Sequence, residues 1–375
     1  RALLLAALLA APLLAGCTLS ERPATEPGPS YAEQGFNGTN WPDLHGATVR
    51  VLAYKSFSSV FDDHRKQFEN LTNGTLVLVT AEDSGKALER AIRERGNPSF
   101  DVVYGVDNVL LGKARRGGAF EAYQPVLAER IAPEYRFVED WIATPVTHGY
   151  IAVNVDPLRS TSLASLEELK QHAGLFVTED PRLSTPGLGF LIATVATYGE
   201  ASPDRYDYLD YWTDLLRGGA LVVPDWTVAY ENHFSGGYGA SYGRADKAIV
   251  TSYTTSPAYE LYYNPDGMLN QVLTAPNATF HQIQTVGIAK GTPNRAAAEA
   301  FIEYALTDQA QALAAPGEAI YPVVRNVSTD AVYGENDPEP GTFSPAPFTA
   351  AELDAGVERW VREWTDLYER LRAEA

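Results

Sequence analysis

The stretch GYIAVNV, at Gly149–Val155, is an extended and mostly apolar run in the middle of the chain. A second extended run, HQIQTVGIA at His281–Ala289, lies much further along. Apolar runs of this length predict β-strands. Because each run lies between segments with strand and helix patterns of their own, the two strands can cross together from one folded unit to another. They predict a two-strand hinge between two lobes.

Short β-branched runs alternate with helical patterns on both sides of Gly149–Val155. Before it we expect strands at 48–54, 76–80 and 101–105, and helices at 57–71, 85–95 and 109–116. After it we expect strands at 175–178, 221–223 and 248–252, and helices at 186–198, 204–216, 257–263, 294–306 and 350–372. Alternation of this kind indicates mainly parallel sheets. The predicted fold class is α/β, with two doubly wound lobes around a cleft.

The composition limits what the chain can be. Its 375 residues are enough for two domains, and a hydrophobic share of 45% is enough to form their cores. A net charge of −19 repels phosphate backbones, so we expect no nucleic-acid partner. One cysteine and six scattered histidines exclude a disulfide framework and argue against a metal site. Only 7 of the 29 basic residues are lysine, which together with the acidity fits a halophilic source.

The N-terminal sequence indicates export. Residues 1–16 are an arginine and an Ala/Leu-rich run too short to span a bilayer, as in a signal peptide. Small residues precede Cys17 as in a lipobox, so Cys17 is the expected lipidation site, with an ordinary signal peptide as the alternative. Residues 17–46 are rich in Pro, Gly, Ser, Thr and Glu and predict a flexible tether. The expected location is the outer face of the cell membrane.

Polar side chains are concentrated at strand-to-helix junctions. In an open α/β sheet, ligands bind beyond the carboxyl ends of the strands, where helix N-termini offer free N–H groups. The polar candidates at these junctions are Asp83, Ser84, Ser184, Thr185, Thr254, Thr255 and Ser256. Any one junction is most simply a helix cap. Such clusters on both lobes point to a small polar ligand held between them.

Aromatic residues are expected at the same ends of the strands. The candidates are Tyr54 in the first lobe and Trp226, Tyr253 and Tyr259 in the second. Aromatic faces can stack on a flat or cationic ligand. Two nearby carboxyls, those of Asp83 and Asp107, favour a cation or an amino-bearing heterocycle.

The sequence motifs that would indicate an enzyme are either absent or lie in the wrong structural context. Gly239–Gly243 matches the G-x-S-x-G pattern of a nucleophile elbow, which needs a strand before it and a helix after it. Here a loop precedes the motif and a strand follows it. The sequence has no H-E-x-x-H or P-loop pattern. We expect no enzyme and no cofactor, and a secreted hydrolase using Ser241 stays the alternative from another class. Tyr262 and Tyr263 leave iron(III) binding open, although a helix face is their simpler role.

Two segments, Asp180–Gly189 (DPRLSTPGLG) and Ser252–Tyr259 (SYTTSPAY), closely resemble the thiamine-binding proteins of bacterial ABC importers. This group is part of the two-lobed periplasmic solute-binding proteins, which also include iron(III) binders. Shorter matches extend the resemblance over roughly 48–370. It implies a type II periplasmic-binding-protein fold, and a monomeric receptor that passes thiamine or a thiamine phosphate to an ABC permease and its ATPase.

The resemblance also implies a domain division and residue roles. Lobe 1 would be 47–149 with 281–345, lobe 2 would be 150–280, and 346–375 would be a helix packed across both. Asp83 and Ser84 would contact the ligand from lobe 1, and Tyr54 would lie close by. From lobe 2, Ser184 and Thr185 would bind the hydroxyethyl or phosphate end. Trp226 and Tyr253 would flank the rings with Tyr259 as a further stacking face, and the polar contacts would be Thr254, Thr255 and Ser256. The family usually has glycine where Ser84 stands, so this contact departs from its pattern.

Overall fold

The computed structural model describes residues 30–160, 162–237, 243–267, 270–328 and 344–374. The expected signal peptide, Cys17, the first part of the tether and Ser241 lie outside these residues. Within them, no helix is both long and apolar enough to cross a membrane.

The described elements follow the α/β order that the sequence predicts. The strands are β1 (Thr48–Tyr54), β2 (Thr75–Ala81), β3 (Val102–Asp107), β4 (Phe120–Glu121), β5 (Thr144–Val155), β6 (Phe176–Glu179), β7 (Leu221–Val223), β8 (Ile249–Tyr253), β9 (Gln271–Val272), β10 (Phe280–Ala289) and β11 (Tyr321–Pro322). The helices are α1 (Ser58–Thr72), α2 (Ser84–Glu94), α3 (Leu111–Gly117), α4 (Leu166–Gln171), α5 (Thr185–Tyr198), α6 (Tyr208–Arg217), α7 (Ser256–Tyr263), α8 (Arg295–Ala305), α9 (Asp308–Gln311), α10 (Ala314–Glu318) and α11 (Ala350–Glu374).

Two long antiparallel strands, β5 and β10, lie at the centre of the sheet, whose order is β2-β1-β3-β10-β5-β8-β6-β7. Their ladder runs from Phe280 opposite Ile151 to Val286 opposite Thr144. The other edge of β10 pairs with β3, and the other edge of β5 pairs with β8. On each outer side the remaining main strands pair in parallel. The predicted hinge is therefore confirmed: the two strands carry the chain between two α/β lobes.

Local side-chain chemistry decides where individual helices begin. The sequence predicts a helix from residue 204, but α6 begins at Tyr208. Asp207 accepts hydrogen bonds from Leu209 N and Asp210 N, while the Asp210 carboxyl accepts from Asp207 N. This reciprocal capping box satisfies N–H groups that the first turn leaves free, so the helix starts at that point.

Residues 30–46 are part of the folded body, which corrects the expectation that the tether reaches residue 46. The Tyr31 side chain is fully buried in the lobe 1 core, and its N–H donates to the Glu299 carboxyl at 2.6 Å. The rings of Phe36 and Trp41 pack beside it, 4.8 Å apart. The segment is ordered because the burial of these three large rings stabilises it, although its polar composition predicted a flexible tether.

The C-terminal helix α11 contacts both lobes in different ways. Trp360, Trp364 and Leu367 are buried in the lobe 2 core. Toward lobe 1, Arg116 of α3 pairs with the carboxyls of Asp354 and Glu358 on the surface of the helix. Apolar burial therefore fixes the helix to lobe 2, and exposed ion pairs connect it to lobe 1.

A partly buried carboxyl of lobe 1, that of Glu318, contacts side chains of β1 and β3. The Glu318 carboxyl, at the end of α10, accepts hydrogen bonds from the Tyr54 hydroxyl at 2.7 Å and the Tyr104 hydroxyl at 3.0 Å. Burial raises the pKa of Glu318 to about 7, and the two tyrosine hydrogen bonds oppose that rise. Near neutral pH this carboxyl is therefore close to its titration midpoint.

We expect Trp364→Ala to lower the free energy of unfolding by about 3–5 kcal/mol, because it leaves a cavity beside Trp212 and Tyr368. Urea denaturation followed by circular dichroism measures the change. Arg362→Ala, at an exposed position on the same helix, is the control and should stay within about 0.5 kcal/mol of the wild type. Equal effects of the two substitutions would contradict the burial of this face.

We expect the stability of the protein to fall between pH 5 and pH 8 relative to that of Glu318→Gln. The carboxyl keeps its proton in the folded state up to about pH 7, but an unfolded glutamate loses it near pH 4.5. The stabilisation is therefore complete below the unfolded pKa and is lost as the pH rises through the folded one. The two pKa values predict a difference of about 3 kcal/mol.

Urea denaturation at several pH values measures this difference. Glu358→Gln, which changes an exposed carboxyl, is the matched control and should follow the wild type. Parallel profiles for the wild type and Glu318→Gln would rule out the raised pKa.

Candidate functional site

Four strands from the two lobes end at one region of the sheet, and each ends on a polar or aromatic residue. From lobe 1, β1 ends at Tyr54 and β3 at Asp107; from lobe 2, β6 ends at Glu179 and β8 at Tyr253. The charges of Glu179 and Asp107 add to burial in raising the pKa of Tyr253, so both carboxyls lie near its hydroxyl. The region between the lobes is therefore a junction of carboxyl and phenol groups.

The Tyr54 ring occupies a position that only glycine at residue 105 allows. Gly105 has a φ of +93°, and a Cβ there would lie 2.4 Å from the Tyr54 ring. Ser84 is buried beside the same place, with its hydroxyl 3.4 Å from that Cβ position. Two predicted residues, Tyr54 and Ser84, are thus brought together in lobe 1.

Asp107 is a fully buried carboxylate between the lobes. It accepts hydrogen bonds from Val109 N, Leu110 N and Gln282 Nε2 at 3.0–3.1 Å. Burial raises the pKa of Asp107, while these donors and the Thr185 hydroxyl of lobe 2 favour its charged form. This carboxylate therefore links the start of α3 to the start of α5.

Asp83 acts as the N-cap of α2 and accepts a hydrogen bond from Lys86 N at 2.8 Å. Burial raises the pKa of the Asp83 carboxyl, and the backbone donors at the start of the helix oppose that rise. The capping expected from the sequence is present. A contact between Asp83 and a ligand stays a prediction.

The N-terminus of α5 lies at the interlobe region without a side-chain cap. Ser184 is the N-cap residue and is buried, but its hydroxyl makes no capping hydrogen bond to the helix. Gly187 in the first turn packs so tightly that a Cβ there would lie 2.3 Å from the Glu179 carbonyl oxygen. The first turn therefore sits directly on the end of β6.

Trp226 is half-buried next to the end of β8. Its indole Nε1 donates to the Ser252 hydroxyl at 2.8 Å, and its ring stacks on Tyr230 at 4.8 Å with an interplanar angle of 13°. The hydrogen bond and the stacked ring together hold the indole in one orientation. Such a fixed, partly exposed aromatic face can hold a flat ligand.

The hydroxyls that follow Tyr253 bond largely within the protein. Ser256 Oγ lies 2.7 Å from Ser252 Oγ and accepts from Tyr253 N, while the Thr255 hydroxyl donates to the carbonyl of Ala319 in lobe 1. Thr254 is buried, and its hydroxyl has no hydrogen-bond partner among the residues that the structure describes. These bonds join α7 to β8 and to the opposite lobe, and ligand contacts for the three residues stay predictions.

Tyr259 is the fourth residue of α7, and its stacking on a ligand stays a prediction. It packs against Ala258 and Ala315, which belong to α7 and α10, and its ring is 4.8 Å from that of Tyr263. Tyr262 and Tyr263 are largely exposed on the same helix. Among the described residues, no group of three or more His, Cys, Asp or Glu side chains could hold a metal ion.

Sequence reasoning missed Glu179 and Glu318. Glu179 is fully buried, and within the described part of the chain neither carboxyl oxygen has a hydrogen-bond partner in another residue. Its signal in the sequence is a carboxyl directly before Asp180 at the end of a buried strand. Glu318 lies at the end of a short helix, and only the folded chain brings it to Tyr54 and Tyr104.

Comparisons with known proteins identify the family of the chain. The family model for bacterial extracellular solute-binding proteins matches residues 52–312. The thiamine-binding periplasmic protein of Escherichia coli is 30% identical over 325 residues, which are 84% of this chain and 92% of that protein. Iron uptake protein A2 of Synechocystis is 27% identical over 68% of this chain and 73% of that protein.

A solved structure of a periplasmic thiamin-binding protein superposes with a TM-score of 0.75 at 27% identity, covering 87% of this chain and 97% of that one. The sequence resemblance and the two-lobed fold are thus confirmed. The family model spans most of the folded body and includes β5, β10 and all four strand ends of the interlobe region. The chain belongs to the family of bacterial extracellular solute-binding proteins.

Proposed function

We propose that this protein captures thiamine, or its mono- or diphosphate, between its lobes and delivers it to an ABC importer. The observation that carries the proposal is the convergence of Tyr54, Asp107, Glu179 and Tyr253, at the ends of four strands from both lobes. The names of the relatives support the choice of ligand.

The chemistry of the region suits the rings of thiamine. Thiamine joins a flat aminopyrimidine to a permanently cationic thiazolium. Trp226 and Tyr253 offer aromatic faces, which attract a cation as well as a flat ring. Carboxyls nearby add negative potential in a region that is partly shielded from water.

The uncapped N-terminus of α5 suits the other end of the ligand. Free N–H groups and the partial positive charge of a helix start attract oxygen atoms and phosphate. The Ser184 and Thr185 hydroxyls lie at this turn, and the Ser184 hydroxyl makes no capping hydrogen bond to the helix. This end would hold the hydroxyethyl group or its phosphate.

The remaining parts of the proposal concern location and partners. Lobe closure over the ligand would create the surface that the permease and its ATPase bind, as in hinge-closing receptors. A lipid on Cys17 would keep the receptor at the outer face of the membrane. Binding of iron(III) is the alternative of the same fold, in line with the iron uptake relative.

We expect at least one of thiamine, thiamine monophosphate and thiamine diphosphate to bind with a sub-micromolar Kd, an affinity of more than about 8 kcal/mol. Isothermal titration calorimetry with each compound, at a salt concentration suited to an acidic protein, measures it. Ferric citrate is the control ligand for the alternative. Heat with ferric citrate and none with the three thiamine compounds would contradict the proposal.

We expect Trp226→Ala to weaken the binding of thiamine at least tenfold, because one aromatic anchor contributes about 1.4 kcal/mol or more. Trp226→Phe keeps the ring that stacks on Tyr230 and should lose less affinity. Quenching of the intrinsic fluorescence or calorimetry measures both. Tyr262→Ala, on the exposed face of α7, is the control and should bind like the wild type; unchanged binding by Trp226→Ala would remove this residue from the site.

A further inference from the structure

The Glu179 carboxyl is buried at the end of β6, and no other residue that the structure describes forms a hydrogen bond with it. The side chain is fully inaccessible, and its contact with its own backbone N–H is the one polar interaction that opposes the effect of burial. A buried polar group without a partner is costly, and proteins avoid it outside functional sites. The free-energy cost of burying the Glu179 carboxyl in this way suggests that the residue has a function.

Two other carboxyls in the interior of the protein, those of Glu303 and Glu318, accept hydrogen bonds. Glu303 accepts hydrogen bonds from the Tyr123 hydroxyl, Val126 N and Leu127 N. Glu318 accepts from two tyrosine hydroxyls. These two carboxyls have hydrogen-bond donors, and Glu179 differs from them in this respect.

The position of Glu179 points to the ligand region. It is the last residue of β6, and the first turn of α5 packs on its backbone at Gly187. Its charge contributes to the raised pKa of Tyr253, and the Asp225 charge contributes to its own. The carboxyl is therefore placed among the groups that the proposed function assigns to the ligand.

We propose that Glu179 recognises the amino-substituted nitrogen ring of the ligand through a pair of hydrogen bonds, with its carboxyl in the protonated form. The carbonyl oxygen would accept an N–H from the exocyclic amino group, and the carboxyl O–H would donate to the adjacent ring nitrogen. This inference rests on the proposed function and identifies the residue that selects an aminopyrimidine.

The protonation state of the Glu179 carboxyl explains why it would bind the aminopyrimidine and not the thiazolium ring. Burial raises the pKa of Glu179 well above its ordinary value, and the Asp225 charge acts in the same direction, so the neutral acid is favoured. A neutral acid presents one donor and one acceptor side by side, as an aminopyrimidine edge does. A thiazolium offers no N–H group, so it cannot form this pair of hydrogen bonds.

The test compares Glu179→Gln with Glu179→Leu by calorimetry, using thiamine and its pyrimidine half, 4-amino-5-hydroxymethyl-2-methylpyrimidine. Glutamine keeps a donor beside an acceptor, so we expect its affinity for thiamine to stay within about fivefold of the wild type. Leucine keeps the size and removes both groups, so we expect at least a 30-fold loss for thiamine and a matching loss for the pyrimidine half. Glu363→Leu, a lobe 2 carboxyl bonded to Tyr208 away from the strand ends, is the control.

A second measurement excludes a merely structural role. Thermal unfolding without ligand should show a higher Tm for Glu179→Leu than for the wild type, because the substitution removes a buried group that lacks a partner. A structural glutamate would give the opposite shift. Higher Tm together with lost affinity is therefore the signature of the proposed role.

The outcomes separate the inference from the proposed function. If the wild type binds thiamine but Glu179→Gln is as weak as Glu179→Leu, recognition depends on an ionised carboxylate and the inference is overturned. Wild-type affinity in both variants overturns it as well. A wild type that binds none of the thiamine compounds overturns the proposed function and the inference together.

Discussion

The antiparallel ladder between β5 and β10 is the constraint on which the rest of the structure depends. One edge of this pair carries β3 and lobe 1, and the other carries β8 and lobe 2. Because the parallel strands of each lobe are aligned on this ladder, their carboxyl ends are brought to one region. The site is thus a consequence of strand direction, and its residues need not be close in sequence.

The same region concentrates groups that water would otherwise stabilise. The carboxyls of Asp107 and Glu179 are buried there, and the Glu318 carboxyl and the Tyr54 and Tyr253 side chains are partly buried. Lobe 1 satisfies its buried carboxyl with tyrosine hydroxyls, whereas Glu179 in lobe 2 has no such donor. The two carboxyls therefore have different surroundings, and the difference is the basis of the ligand contact proposed for Glu179.

Local patterns predicted most of the fold, and long-range packing decided what they missed. Strand and helix positions follow from apolar periodicity and caps, so β1, β8 and α5 agree with the expectation within a residue or two. Residues 30–46 read as a tether because their composition is polar, and only contacts with the core around Glu299 reveal them as part of lobe 1. Glu179 was missed because a charged residue at a strand end resembles the start of a loop. Its burial comes from Gly187 and from β8, which lie elsewhere in the chain.

The two kinds of contact made by α11 have a consequence for how far the lobes can separate. The helix moves with lobe 2, because Trp360, Trp364 and Leu367 are anchored in its interior. Its connection to lobe 1 through Arg116 consists of water-exposed charges, which bind weakly and are screened by salt. We therefore expect the link between α11 and lobe 1 to weaken as the ionic strength rises, which would ease the separation of the lobes.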